Sequence, residues 1–266
     1  MQRGPSRNAS RAPDVVMGFA DLSVRITLVA ALLGIPYLPA GAADLEVDLE
    51  LVLAVDVSGS VDEVEARLQR EGYIAALRHP HVIQAIQSGP NRRIAVTYVE
   101  WAGDQYQRTM LQWTLIESAA DAQGFADALA ETPFASAHWT SLSGAIDYSA
   151  KLFDKNGFAA VRRVIDVSGD GYNNRGRPVE LARDEAVAAG LTINGLPIVN
   201  DRPSPWGGRP PVDLDLYFEH HVIGGPGAFM IVAEDYTAFA SAIMSKLLLE
   251  IAGDQPAPGA VVTAAR

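Results

Sequence analysis

The segment LELVLAVDV, Leu49 to Val57, is a nearly continuous apolar run of strand length. A strand of this kind is buried on both faces, which calls for a sheet with helices on either side. It ends abruptly in DVSGS, where a carboxylate and two hydroxyls alternate as Asp56, Ser58 and Ser60. Polar groups at the end of a buried strand are costly unless they find partners. Their alternation along an extended turn lets the three side chains converge on one point.

The rest of the chain alternates between strand and helix patterns. Val61 to Leu77 has helical spacing, and RIAVTYVEW and RTMLQWTLI read as two strands joined by a short Gly103–Asp104 turn, an antiparallel pair. Residues 121–131 and 143–153 read as helices and RRVIDVS as a strand. Pro178 then opens a helix that Gly190 closes. LTINGLPI and AFMIV are further strands. The last helix has Phe239, Ile243, Leu247 and Ile251 four apart and Asp235 as its expected cap. This order predicts an α/β, doubly wound, mostly parallel six-stranded sheet with one antiparallel edge strand and helices on both faces. Ligands of such sheets bind outside the strand carboxyl ends.

DVSG recurs in RRVIDVSGDGYNN, so a second strand end should lie on the same rim. A third loop, FASAHWTSLSGAI, brings Thr140 and Ser141 to the start of a helix. Carboxylates and hydroxyls together suit a hard divalent cation such as Mg²⁺, or Mn²⁺ or Ca²⁺. Ser60-x-x-Glu63 also has the form of a helix capping box, a structural role for the same hydroxyl.

Asp56-x-Ser58-x-Ser60 after an apolar strand, a threonine in a mid-chain loop and Asp170-Gly171 after a later strand resemble the von Willebrand factor A domain over residues 47–252. TYVEWAG, RRVIDVSGDG and VIGGPGAF are similar to a secreted bacterial branch of that family. The resemblance implies a metal-ion-dependent adhesion site. Ser58, Ser60 and Thr140 would ligate Mg²⁺, Asp56 and Asp170 would hold it directly or through water, and one position would stay open for a partner's carboxylate. Ser141 and Ser143 lie close enough to Thr140 to compete for its place. Asp170 follows the strand, whereas Asp166 is flanked by Val164, Ile165 and Val167 within it. Asp166 therefore needs an internal partner, and Arg93, Arg162 or Arg163 is the expected one.

The chain of 266 residues has a net charge of −11 and no cysteine. The acidity argues against nucleic-acid and anionic-membrane partners, and the absence of cysteine removes disulfides, thiolate zinc sites and thiol nucleophiles. Residues 1–42 combine Arg3, Arg7, Arg11 and Arg25 with an apolar stretch broken by Gly34 and Pro36, then Ala40-Gly41-Ala42. This is the pattern of a cleaved signal peptide, with Met17 an alternative start, so a periplasmic or secreted protein without membrane insertion is expected. Cleavage would take the charge from −11 to −13, since the segment holds four arginines and two aspartates. The expected organisation is leader, A-like domain over 43–252 and disordered tail over 253–266.

The remaining candidates are weaker. Glu100 reads as a solvated charge at a strand end, and His220-His221 lacks zinc-ligand spacing. Trp206, in the proline-rich loop, is either a partner anchor or a tuck for its own loop. No catalytic set and no nucleotide-binding loop emerges. The expected function is a metal-dependent binding module, and the alternative is a metal-assisted, phosphatase-like hydrolase on the same rim.

Overall fold

A computed structural model describes residues 43–200, 210–253 and 261–263. The expected leader and Trp206 lie outside the described residues. Nine strands and seven helices follow in order: β1 (Leu45–Glu46), β2 (Leu49–Asp56), α1 (Glu63–Arg78), α2 (Pro80–Ser88), β3 (Ile94–Trp101), β4 (Gln107–Ile116) and α3 (Ala119–Ala130). Next come α4 (Leu142–Lys151), β5 (Phe158–Ala159), β6 (Arg162–Gly169), α5 (Val179–Ala188), β7 (Thr192–Pro197) and α6 (Leu214–Tyr217). A π-type turn (Phe218–Val222), β8 (Met230–Val232), α7 (Phe239–Ala252) and β9 (Val261–Thr263) complete the elements among the described residues.

The main sheet runs β4-β3-β2-β6-β7-β8-β9 and is parallel except for the β3–β4 pair. Its first six strands are those expected from the sequence. The seventh, β9, comes from the tail read as disordered, and pairs residue by residue with β8. β1 and β5 form a separate parallel pair.

Every residue of β2 is buried, as its apolar run requires. Leu51, Leu53 and Val55 pack with α1, α2, α3 and α7 on one face, while Val52 and Ala54 pack with α4, α5 and α6 on the other. From β2 the chain crosses to β3 on one side; from β6 it crosses to β7 on the other. The loops after these two neighbouring strands therefore part, which leaves a crevice at their carboxyl ends.

Two helix starts differ from expectation. Asp62, not Ser60, caps α1: its carboxylate accepts from the backbone of Val64 and Glu65, and Asp62 N donates in return to Glu65 Oε2. A cap of this sort contributes about 1 kcal/mol, and here it leaves the Ser60 hydroxyl for other work. Asp235 caps the turn ahead of α7, accepting from Ala238 N at 2.8 Å, and the helix itself starts at Phe239.

Candidate metal centre

Asp56 ends β2 and Asp170 directly follows β6. The register sets Val55 opposite Ser168, which brings the two strand ends side by side. Beyond β2 the backbone turns back on itself: Ser58 N donates to Asp56 Oδ1 at 2.7 Å. The Ser58 and Ser60 hydroxyls lie 3.0 Å apart, and Ser60 Oγ donates to Asp170 Oδ1 at 2.6 Å. Tyr236 OH donates to the other Asp170 oxygen at 3.0 Å. Hydrogen bonds from the Ser58 backbone and through the Ser58 and Ser60 hydroxyls thus link the two strand ends.

Thr140 reaches the same place from the loop before α4. Asn174 clamps its backbone from both sides: Thr140 N donates to Asn174 Oδ1 and Asn174 N donates to Thr140 O, both at 2.9 Å. A Cβ placed on Gly171 would lie 3.4 Å from Thr140 Oγ1, so the hydroxyl sits against the Asp170 turn. Ser141 and Ser143 do not share that position. Ser141 Oγ accepts from Gly144 N at 3.1 Å as the cap of α4, and both serine hydroxyls lie beside Gly176. Of the three hydroxyls, that of Thr140 is the one set against the Asp170–Gly171 turn.

Asp56, Ser58, Thr140 and Asp170 are buried and Ser60 is half-buried. Burial raises the Asp56 carboxyl well above its usual range, and the neighbouring Asp170 charge adds to the effect. Burial also raises Asp170, against the hydrogen bonds from Ser60, Tyr236 and Asn200. Asp56 Oδ2 is buried and has no hydrogen-bond partner. A Cβ on Gly169 would stand 3.0 Å from that oxygen, so glycine is what lets β6 pass so close. Among the described residues neither carboxylate is ion-paired to a lysine or arginine. No three His, Cys, Asp or Glu side chains cluster there to hold a metal. Any ion at this rim would depend on serine and threonine hydroxyls beside the two aspartates, a donor set suited to a hard cation.

Asp166 is fully buried at mid-strand, and its partner is not an arginine. Lys246 Nζ of α7 lies 2.5 Å from Asp166 Oδ1 and 2.6 Å from Glu250 Oε1, and Asn194 Nδ2 donates to Glu250 Oε1 at 2.8 Å. Arg93 and Arg163 donate instead to the carbonyls of Glu46 and Ala189, and Arg162 to that of Glu250. Burial and the Glu250 charge push the Asp166 carboxyl up to about 7, against the pull of Lys246.

Other expectations also change. Glu100 is buried, not solvated, and pairs with Arg70 at 2.9 Å. Arg70 also donates to the carbonyls of Thr132 and Pro133, tying the loop that leads to Thr140. His221 lies in a helical turn, with Nδ1 2.6 Å from Glu180 Oε1. Nothing local in the chain marks Tyr236 or Asn174, which hold Asp170 and Thr140 in place.

The architecture is that of the von Willebrand factor A fold, and solved structures of that fold match it. The proximal thread matrix protein 1 of the mussel byssus, in a form with a zinc-occupied MIDAS motif, matches at TM-score 0.58 and 12% identity over 79% of this chain and 50% of that one. The pilus adhesin SpaC of Lactobacillus rhamnosus GG matches at 0.56 and 13% over 80% and 31%. A von Willebrand factor type A structure from Catenulispora acidiphila matches at 0.50 and 13% over 77% and 43%. The chain thus spans half or less of each of these proteins. No curated protein matches it. Residues 46–255 match the family model described as "Protein of unknown function (DUF1194)", and the chain belongs to that family.

Proposed function

We propose that this protein is an exported binding module whose A-domain rim holds a divalent cation through Ser58, Ser60, Thr140, Asp56 and Asp170, and through it captures a carboxylate of a partner. The observation that carries the reading is Asp56 Oδ2, a buried carboxylate oxygen without a partner, close to a second buried carboxylate and to three hydroxyls. Two buried acids without a nearby cation favour protonation, and an ion would supply the missing positive charge. Mg²⁺ fits the oxygen set, as do Mn²⁺ and Ca²⁺. The mussel protein with zinc at its MIDAS motif supports metal binding on this fold, and the SpaC adhesin supports a role in attachment. The signal-peptide pattern of residues 1–42 supports export; mass spectrometry of the exported protein should find an N-terminus at or near Ala43.

Titration calorimetry in buffers of different ionisation heat tests the metal. Mg²⁺ or Mn²⁺ should bind with release of protons from the two aspartates, and Asp56→Ala should abolish both heat and release. No heat at millimolar ion would dismiss the site. Phosphoester, ester and peptide substrates offered to the Mg²⁺-loaded protein should remain intact. Turnover lost in Asp56→Ala would establish the hydrolase alternative.

A further inference from the structure

Neither aspartate of the rim is free on both of its oxygens. Ser58 N holds Asp56 Oδ1 at 2.7 Å and leaves Oδ2 as the atom without a partner. On Asp170 the Tyr236 phenol donates to Oδ2 at 3.0 Å, while the Ser60 hydroxyl meets Oδ1. Asn200 adds a further bond to the same carboxylate. The two hydroxyls on Asp170 differ in what they permit. A serine oxygen can face an ion with its lone pairs and still donate its proton to a carboxylate. Tyr236 comes from the other direction, out of the core shared by α1 and α7, where its ring is buried.

The turn that carries Tyr236 is itself fastened. Asp235 Oδ1 accepts from Thr237 Oγ1 at 2.6 Å and from Ala238 N at 2.8 Å, directly ahead of α7. The phenol is thus fixed, and taking its acceptor away would strand a buried donor, which is costly. Asp170 Oδ2 is therefore turned to the core and Oδ1 to the rim. Each aspartate has one oxygen to offer. Those two, the hydroxyls of Ser58, Ser60 and Thr140, and one position for a partner make up an octahedral set. Mg²⁺ demands that geometry, whereas Ca²⁺ takes about six to eight oxygens and often uses both oxygens of a carboxylate.

We propose that Tyr236 determines which ion the rim accepts. By holding Asp170 to a single available oxygen, it favours Mg²⁺ and Mn²⁺ over Ca²⁺; it is a positioning residue that acts through Asp170. This rests on the metal-binding reading above. The test is calorimetry with MgCl₂, MnCl₂ and CaCl₂ on the wild type and on Tyr236→Phe, which keeps the ring and removes only the donor. The wild type should bind Mg²⁺ more tightly than Ca²⁺. In Tyr236→Phe the ratio of Ca²⁺ to Mg²⁺ affinity should rise about tenfold, as Asp170 Oδ2 becomes available. Tyr236→Leu, which also lacks the donor but differs in shape, should give the same rise. A merely structural tyrosine would weaken both ions together and leave the ratio unmoved. That result, or a wild type that binds Ca²⁺ as tightly as Mg²⁺, would overturn the proposal and leave the metal reading standing. Failure of the wild type to bind any of the three ions would show instead that the metal reading has failed, and the proposal would fall with it.

Discussion

Strand β6 carries one aspartate at its middle and another just past its end, and the two meet opposite surroundings. Asp166 is enclosed by the sheet and α7, where Lys246 supplies a cation from within the chain. Asp170 shares its crevice with Asp56, and hydroxyl groups approach it instead of a cationic side chain. Both are buried acids with raised pKa values. The difference is the source of the balancing charge. Deep in the layer it is covalently part of the fold; at the rim, on the proposed reading, it comes from solution. On that reading a structural acid and a binding acid differ in that source and not in burial.

Removing the internal cation should give the largest effect. Lys246→Met leaves Asp166 and Glu250 buried without it, and breaking such a cluster costs about 3–5 kcal/mol. Urea unfolding at pH 8 should show this loss, and a smaller one at pH 5, where Asp166 takes up a proton. Asp166→Asn keeps the Lys246–Glu250 pair and should cost less. If Lys246→Met were neutral, the contrast between the two clusters would disappear.

The rim should respond to added ion. At a hundredfold excess over its Kd, Mg²⁺ should stabilise the protein by about 2.7 kcal/mol, since it binds the folded state alone. In Asp170→Ala this gain should vanish, while metal-free stability stays level or rises as the repulsion with Asp56 is relieved. Thermal melts with and without Mg²⁺ measure both. A large metal-free loss in Asp170→Ala would make this aspartate structural after all.

The pH dependence joins the two regions. Asp166 titrates near 7 in the folded chain against 3.8 as its ordinary value, so the unfolded chain gives up this proton first as pH rises. Its contribution to stability is therefore lost between about pH 4 and 7 and level above. Asp56 and Asp170, also raised, act in the same direction. Bound Mg²⁺, which holds those two ionised, should flatten part of the slope, and Asp166→Asn should remove the rest. A slope unaltered by Mg²⁺ would mean that the rim acids do not meet the ion.

The smallest effect separates neighbouring hydroxyls. Ser141→Ala should lose about 1 kcal/mol as a helix cap and keep its Mg²⁺ affinity. Thr140→Ala should do the reverse, with weakened Mg²⁺ binding and nearly unchanged metal-free stability. Calorimetry and urea unfolding on the pair decide it.

What was legible in the sequence follows from how local each signal is. Asp56, Ser58 and Ser60 could be read because their alternation and the preceding apolar run lie within one short segment. The position of Asp170 past the strand could be read for the same reason. The partner of Asp166 could not. Lys246 and Glu250 stand one helical turn apart, the spacing of a solvated surface pair, and nothing local says that this face of α7 meets β6. Glu100 departs from expectation for the same reason, since Arg70 reaches it from α1. Ser60-x-x-Glu63 and Asp62-x-x-Glu65 both fit a capping box, and the path of the chain toward Asp170 decided between them. The fold was the more legible part because its strands announce themselves singly, whereas the partners of buried charges are tertiary.

The two margins of the sheet end differently. β4 is irregular, with shifts in its pairing to β3 between Val96 and Tyr98 and between Tyr98 and Val99, and it carries Arg108 and Gln112 along its length. Irregular, polar margins resist docking by a foreign strand. β8 has only three residues, and the chain lays Val261–Thr263 along it in parallel. The tail thus covers β8, and the margin it forms is itself only three residues long. A margin so short offers a foreign strand little to extend, which guards against polymerising edge to edge.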